Sequence, residues 1–163
     1  MGTHSLRLSE MGDDRVAELA YVEGVRALDG QRSSLDAARS TASAALGVAS
    51  IGTGFLASTA LDGHRGLPWL AWLAIGALLL AVLATVGVLW PRDWKFTNEP
   101  RTIAGEEWQA LGAAQAHTTL AGYMADHLDA NAAPLRKTWV ATQVAIGAAA
   151  FSIICWTLLI GAN

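Results

Sequence analysis

The chain has 163 residues, of which 53% are hydrophobic, and a net charge of −3. Only 15% of residues are charged, against about 25% in an ordinary soluble domain. A mildly acidic chain without a lysine or arginine cluster lacks the electrostatic footprint of a nucleic-acid binder, and its polar stretches, residues 1–40 and 91–137, are each too short to build a sizeable core alone.

The charge shortfall is concentrated in three runs without Asp, Glu, Lys or Arg: Thr41–Leu61, Leu67–Trp90 and Thr138–Asn163. The middle run is decisive. Between Pro68 and Pro91 lie 22 uncharged residues, which as a helix reach roughly 33 Å, enough to cross a hydrocarbon core of about 30 Å. The expected fold is an all-α integral membrane protein with three transmembrane helices plus cytoplasmic amphipathic helices. The whole chain, 1–163, forms a single membrane domain: an N-terminal cytoplasmic helix (1–40), span 1 (41–61), span 2 (67–90), a cytoplasmic helical segment (91–137) and span 3 (138–162).

In chain order, residues 1–12 show no period and read as partly disordered, and no signal peptide is visible. Asp13 or Asp14 is suited to accept hydrogen bonds at a helix start. Tyr21, Val25, Leu28 and Leu35 then mark one helical face. Gly24 and Gly30 weaken this helix, and Asp29-Gly30 is a candidate break.

Span 1 is unusual. Its large apolar residues are Leu46, Val48, Ile51, Phe55, Leu56 and Leu61, and its other fifteen residues are Ala, Gly, Ser or Thr. Ser43, Gly47, Ser50, Gly54 and Ala57 repeat at helical spacing, a seam that lets another backbone approach closely. So small-rich a helix gains little from lipid and is expected to be the span most covered by protein. Ser43, Gly47, Ser50, Thr53 and Gly54 are the candidate oligomer or pore face.

The segment 61–68, with Asp62-Gly63 and Gly66, is a tight turn to an antiparallel neighbour. Trp69 and Trp72 suit a headgroup layer. In span 2, Ala74, Ala77, Ala81 and Ala84 form a second small seam, and Pro91 stops the helix. Trp90, Trp94 and Phe96, set among Arg92 and Lys95, read as an interfacial anchor rather than an aromatic cage.

Asn98-Glu99-Pro100 and Glu106 are candidate helix starts. His117, Met124, Leu128, Asn131 and Leu135 then recur on one face of an amphipathic helix that needs a partner, and the N-terminal helix is the obvious one. Pro134 is placed to kink the entry to span 3. In span 3, Ala141, Ala145, Ala148, Ser152 and Cys155 form a packing seam. Trp139 and Trp156 are candidate interfacial anchors about 25 Å apart, and Gln143 is expected to bond to another helix. The single cysteine, Cys155, can form no intramolecular disulfide and reads as a packing residue.

Arg26, Arg32, Arg39, Arg92, Lys95, Arg101, Arg136 and Lys137 flank one side of the spans and only Arg65 the other. This places the N-terminus and residues 91–137 in the cytoplasm and the C-terminus outside. No ionisable group lies at membrane depth, as a pump, transporter or voltage sensor would need. There is no phosphate-cradling loop and no metal-ligand spacing, so neither cofactor nor metal is expected and the chain reads as no enzyme. A rival reading is a small membrane enzyme using Glu106, Glu107, His117 or Asp126, with His127 and Asp129 nearby. Diacylglycerol kinase shares the three spans and amphipathic helix, but the charged constellation of phosphoryl transfer is missing here.

The layout resembles bacterial membrane effectors of the SLATT and Pycsar type. The resemblance covers residues 20–160. It rests on a cytoplasmic helix leading straight into a span (Gln31, Leu35, Asp36, Arg39), a tight outer turn, and a second span ending in Trp90-Pro91. It continues through His127-Leu128-Asp129-Ala130-Asn131 and Arg136-Lys137 into another span. It implies an effector of anti-phage defence, seated in the bacterial inner membrane, that oligomerises and perturbs permeability when a cytoplasmic protein or nucleotide signal arrives. Its partners would be the lipid bilayer and further copies of itself. The alternative is a non-catalytic scaffold that docks a neighbour through its cytoplasmic helices, with Leu120, Met124 and Leu128 as the docking residues.

Overall fold

The computed structural model describes residues 3–60, 68–96 and 111–162, with side chains from residue 14 onward. Among these residues the chain is three helices without strands: α1, Thr3–Ala60; α2, Trp69–Leu89; and α3, Ala113–Gly161. All three are long and apolar enough to cross a membrane.

Two expectations about α1 are corrected. The helix is already formed at Thr3, so Asp13 and Asp14 lie within it and not at its start, and residues 3–12 are helical. It also runs through Asp29-Gly30 without a break. An isolated exposed glycine costs a helix about 1 kcal/mol, and 58 residues of continuous backbone hydrogen bonding absorb that cost.

The turn at 61–67 lies outside the described residues, as do the proposed helix starts at Asn98-Glu99-Pro100 and Glu106, and with them Arg65, Arg101 and Glu107.

The ends of α2 follow from its two prolines. Pro68 is extended, at φ −63° and ψ 156°, and its carbonyl accepts from Ala71 N at 2.9 Å, starting the helix. Trp90 leaves the helical region at ψ 127°, because the ring of Pro91 crowds the backbone of the residue before it. Arg92 then folds back. Its Nη2 donates to the carbonyl of Gly87 at 3.2 Å, satisfying one of the acceptors left open at the helix end.

The chain divides into two compact units. The first comprises Met1–Ser34 and Asp93–Pro134. Here α1 and α3 lie side by side, as the amphipathic stripe of α3 demands. Tyr21 stacks on His117 with ring centroids 5.3 Å apart, Gln31 Nε2 donates to the carbonyl of Leu128 at 3.1 Å, and Gly24 faces Met124. Leu28 and Met124 are buried between them.

The two glycines of this part of α1 are not equivalent. A Cβ built on Gly24 would come within 2.9 Å of Met124 Sδ and 3.2 Å of its Cβ, whereas one on Gly30 meets nothing within 4 Å. Gly30→Ala is therefore expected to stabilise the protein by up to about 1 kcal/mol through helix propensity. Gly24→Leu is expected to destabilise it by about 1–3 kcal/mol through overpacking. Thermal unfolding of the purified chain checks both signs. Equal shifts for the two variants would mean that Gly24 is not a contact site.

The second unit comprises Leu35–Arg92 and Leu135–Asn163. It is built on small residues. Ala49, Ala81, Ala148 and Ala149 form one buried cluster, with Leu78 and Ile153 packed against it. Ala60, Ala71, Ala74, Cys155, Trp156 and Leu159 form another. Alanine seams let helix backbones approach closely, which is how apolar helices associate when lipid is as greasy as leucine.

Candidate functional site

The interior of the second unit carries a row of hydroxyls. Thr53, Thr85, Thr138, Thr142 and Ser152 are all buried. Each is tied to backbone or to another side chain. Thr85 Oγ1 donates to the carbonyl of Ala81 at 2.8 Å, and Thr142 Oγ1 to that of Thr138 at 3.0 Å. Arg92 Nη1 donates to Thr138 Oγ1 at 3.1 Å. Ser152 Oγ donates across helices to the carbonyl of Ala74 at 2.9 Å and lies 3.5 Å from Thr53 Oγ1. Ser152 thus joins all three helices at one level. Ser152→Ala is expected to cost about 0.6–1.7 kcal/mol, the range for an interhelical hydrogen bond in an apolar bundle. Thermal unfolding in detergent measures it, and no shift would mean that the bond to Ala74 is neutral.

Of the packing residues expected on α3, Ala145, Ala148 and Ser152 are buried and Ala141 is half-buried. Gln143 is corrected: it is exposed, and its neighbour Thr142 turns inward instead, reaching within 3.5 Å of the carbonyl of Ala38. A short hydroxyl can return a hydrogen bond to its own helix while packed against another, which the longer amide does less readily.

Trp156 is also corrected. It is 2% exposed, the largest of the fully buried side chains, and fills the space left by Ala60, Ala71 and Ala74. It is a core residue. Trp69, Trp72, Trp90 and Trp139 are exposed, and Trp94 is half-buried and stacked on Phe96 with centroids 5.8 Å apart.

Span 1 shows the largest departure from expectation. It is the least covered of the three apolar segments. Of the most apolar window of each helix, 17% is buried in α1, against 28% in α2 and 33% in α3. Ser43, Gly47, Ser50 and Gly54 are all exposed and lie along one face, and a Cβ on Gly47 or Gly54 would meet nothing within 4 Å. Thr53 stands apart, buried against Ser152 at roughly 90° round the helix from that face. The candidate face of span 1 therefore loses Thr53, which packs inside the unit on the side of Ala42, Ala49 and Ala60, while the four-residue Ser/Gly stripe looks outward and Ala57, the last residue of the expected seam, is half-buried. Val48, Ile51 and Phe55 mark a separate exposed apolar face of this helix, but among its small residues only the packing partners could tell the faces apart.

In the first unit, Asn131 forms a clamp that its place in an amphipathic stripe did not reveal. It is 2% exposed. Its Nδ2 donates to the carbonyl of Lys95 at 2.8 Å, and its Oδ1 accepts from Lys95 N at 3.2 Å. A side-chain amide pairing with both polar groups of one residue imitates a strand neighbour. It fixes 93–96 on α3 and satisfies a backbone that no helix or sheet serves.

Among the described residues no three His, Cys, Asp or Glu side chains come together. Asp126 and Asp129 are exposed, and His117 is engaged with Tyr21. Of the docking residues, Met124 is buried and Leu120 and Leu128 are half-buried within the first unit.

Comparison of the chain with protein-family models, with curated proteins and with solved structures gives no match.

Proposed function

We propose that this is a non-enzymatic, multi-pass protein of a bacterial inner membrane that oligomerises through the outward stripe of α1 and alters membrane permeability in response to a cytoplasmic signal. One observation carries the reading. The least apolar of the three helices is the one left least covered by its own chain, and beside an exposed apolar face of Val48, Ile51 and Phe55 it exposes a stripe of Ser43, Gly47, Ser50 and Gly54. A helix face of glycine and serine offers lipid few contacts and offers another helix close approach. Further copies of the chain are the partner such a face suits. Four copies or more arranged with that face inward would line their axis with the hydroxyls of Ser43 and Ser50.

Orientation follows from the basic flanks, with the N-terminus and residues 91–137 cytoplasmic and the C-terminus outside. The first unit would then receive the signal, a protein or a nucleotide. α1 and α3 each contribute residues to both units. The layout shared with SLATT and Pycsar effectors supports a place in anti-phage defence.

Expression with a dye-release and depolarisation readout tests this function. Leakage that appears with the protein and scales with its oligomer supports it, and intact membranes at high expression speak against it. A second reading, a non-catalytic scaffold, draws on a different observation: Val16, Leu19 and Val22 of α1 are exposed apolar residues in the first unit. Loss of a bound neighbour in Val16→Glu/Leu19→Glu, with no leakage in wild type, would favour it.

A further inference from the structure

The second unit has a groove between α2 and α3 on its outer surface, about 570 Å³, lined by Trp72, Gly76, Leu80, Val144, Gly147 and Phe151 among others. Glycines form part of its floor, and a Cβ on Gly76 or Gly147 would meet nothing within 4 Å, so the depression is real space that no neighbouring side chain fills. On the same face of α3, at helical steps of three and four toward residue 136, lies a second depression, lined by Arg136, Lys137, Val140 and Ala141 of α3 alone. Both basic side chains are exposed. Of the other cations at this end of the unit, Arg92 is engaged with Thr138 and Gly87, and Arg39 is half-buried on α1. The face is thus apolar along most of its length and doubly positive at one end.

We infer that this face binds an anionic phospholipid of the cytoplasmic leaflet, with the phosphate on Arg136 and Lys137 and one acyl chain lying along Val140, Val144 and Gly147. The inference rests on the membrane reading of the second unit and on its orientation. Dimensions and charge support it. Lys137 to Gly147 is ten residues, about 15 Å along a helix, which is one leaflet of a hydrocarbon core of about 30 Å. Basic side chains at the cytoplasmic edge of an interhelical groove recognise acidic headgroups, and an apolar channel beneath them recognises the chain. A free phosphate would use only the first element, and a zwitterionic lipid presents its phosphate beside an ammonium that offsets the attraction to two cations.

The test is native mass spectrometry of the full chain in detergent, with phosphatidylglycerol or phosphatidylcholine added in equal amounts. Wild type is expected to retain phosphatidylglycerol over phosphatidylcholine by roughly tenfold. Arg136→Gln/Lys137→Gln should lose that preference. Gly147→Phe, which keeps both charges and fills the groove, should lower retention of either lipid. Arg32→Gln, which removes a cation from the first unit, should change nothing. Equal retention of the two lipids by wild type, wild-type retention in both groove variants, or an equal loss in Arg32→Gln would overturn the site. So would displacement of the lipid by inorganic phosphate alone. A chain that stays monodisperse in water without detergent would instead overturn the membrane reading, a result distinguishable from any change in lipid preference.

Discussion

Gly47→Leu/Gly54→Leu is expected to leave the protein folded and to reduce its oligomer by roughly tenfold or more, the size of effect that losing about 1.4 kcal/mol of close helix packing produces. Dye release should fall with it. Room for the new side chains is already present, since a Cβ at either position meets nothing within 4 Å. Nothing inside the chain is displaced, and glycine is a poorer helix former than leucine. Thermal stability should therefore hold or rise while assembly fails. That split is the useful feature, because unfolding cannot explain it. Ala44→Leu is the matching control: Ala44 is also exposed, but it lies roughly 90° round α1 from the stripe. It should assemble as wild type does. Crosslinking in membranes reads the oligomer, and vesicle leakage reads the function. If the double variant crosslinks and leaks like wild type, the stripe is a lipid-facing surface and the proposed assembly has no basis in α1.

Asn131→Ala is expected to destabilise the first unit by about 2 kcal/mol, the sum of two modest hydrogen bonds and the desolvated groups they leave behind. Asn131→Asp should do no better. The carboxylate keeps an acceptor for Lys95 N but sets a second oxygen against the carbonyl that Nδ2 now serves at 2.8 Å. Asn131→Gln moves the amide out by a methylene and should also break the pairing. Residues 93–96, with Trp94 stacked on Phe96, would then come away from α3. Tryptophan fluorescence and thermal unfolding in detergent follow this directly. Wild-type melting in Asn131→Ala would show that the amide pairing adds nothing to the stability of the unit.

The two effects differ in kind. The glycine pair acts between copies and should leave the single chain untouched. Asn131 acts within one chain and should weaken it whether or not copies associate. Comparing the two variants in dilute detergent and in membranes therefore separates folding from assembly, which small membrane proteins often confound.

Much of the architecture was legible in the sequence. Twenty-two uncharged residues between Pro68 and Pro91 permit little other than a helix of membrane length, because prolines end helices and uniformly apolar ones need an apolar surround. The pairing of α1 with the stripe of α3 in the first unit could likewise be read from the spacing of Met124 and Leu128, since an amphipathic face must be covered. The packing partners decided the rest. Periodicity names a face but not its neighbour, so Thr53 and the Ser43–Gly54 stripe looked like one surface until Ser152 claimed Thr53. Tryptophan at the end of a span reads as an anchor by composition, yet the space beside Ala60, Ala71 and Ala74 takes Trp156 inside. Hydrogen bonds between residues far apart in the chain, such as Asn131 with Lys95 and Ser152 with Ala74, leave no local signature at all. Length and polarity along the chain set which segments are helices. Which faces are free to meet lipid or another copy depends on the volumes those helices share, and only the tertiary structure contains that.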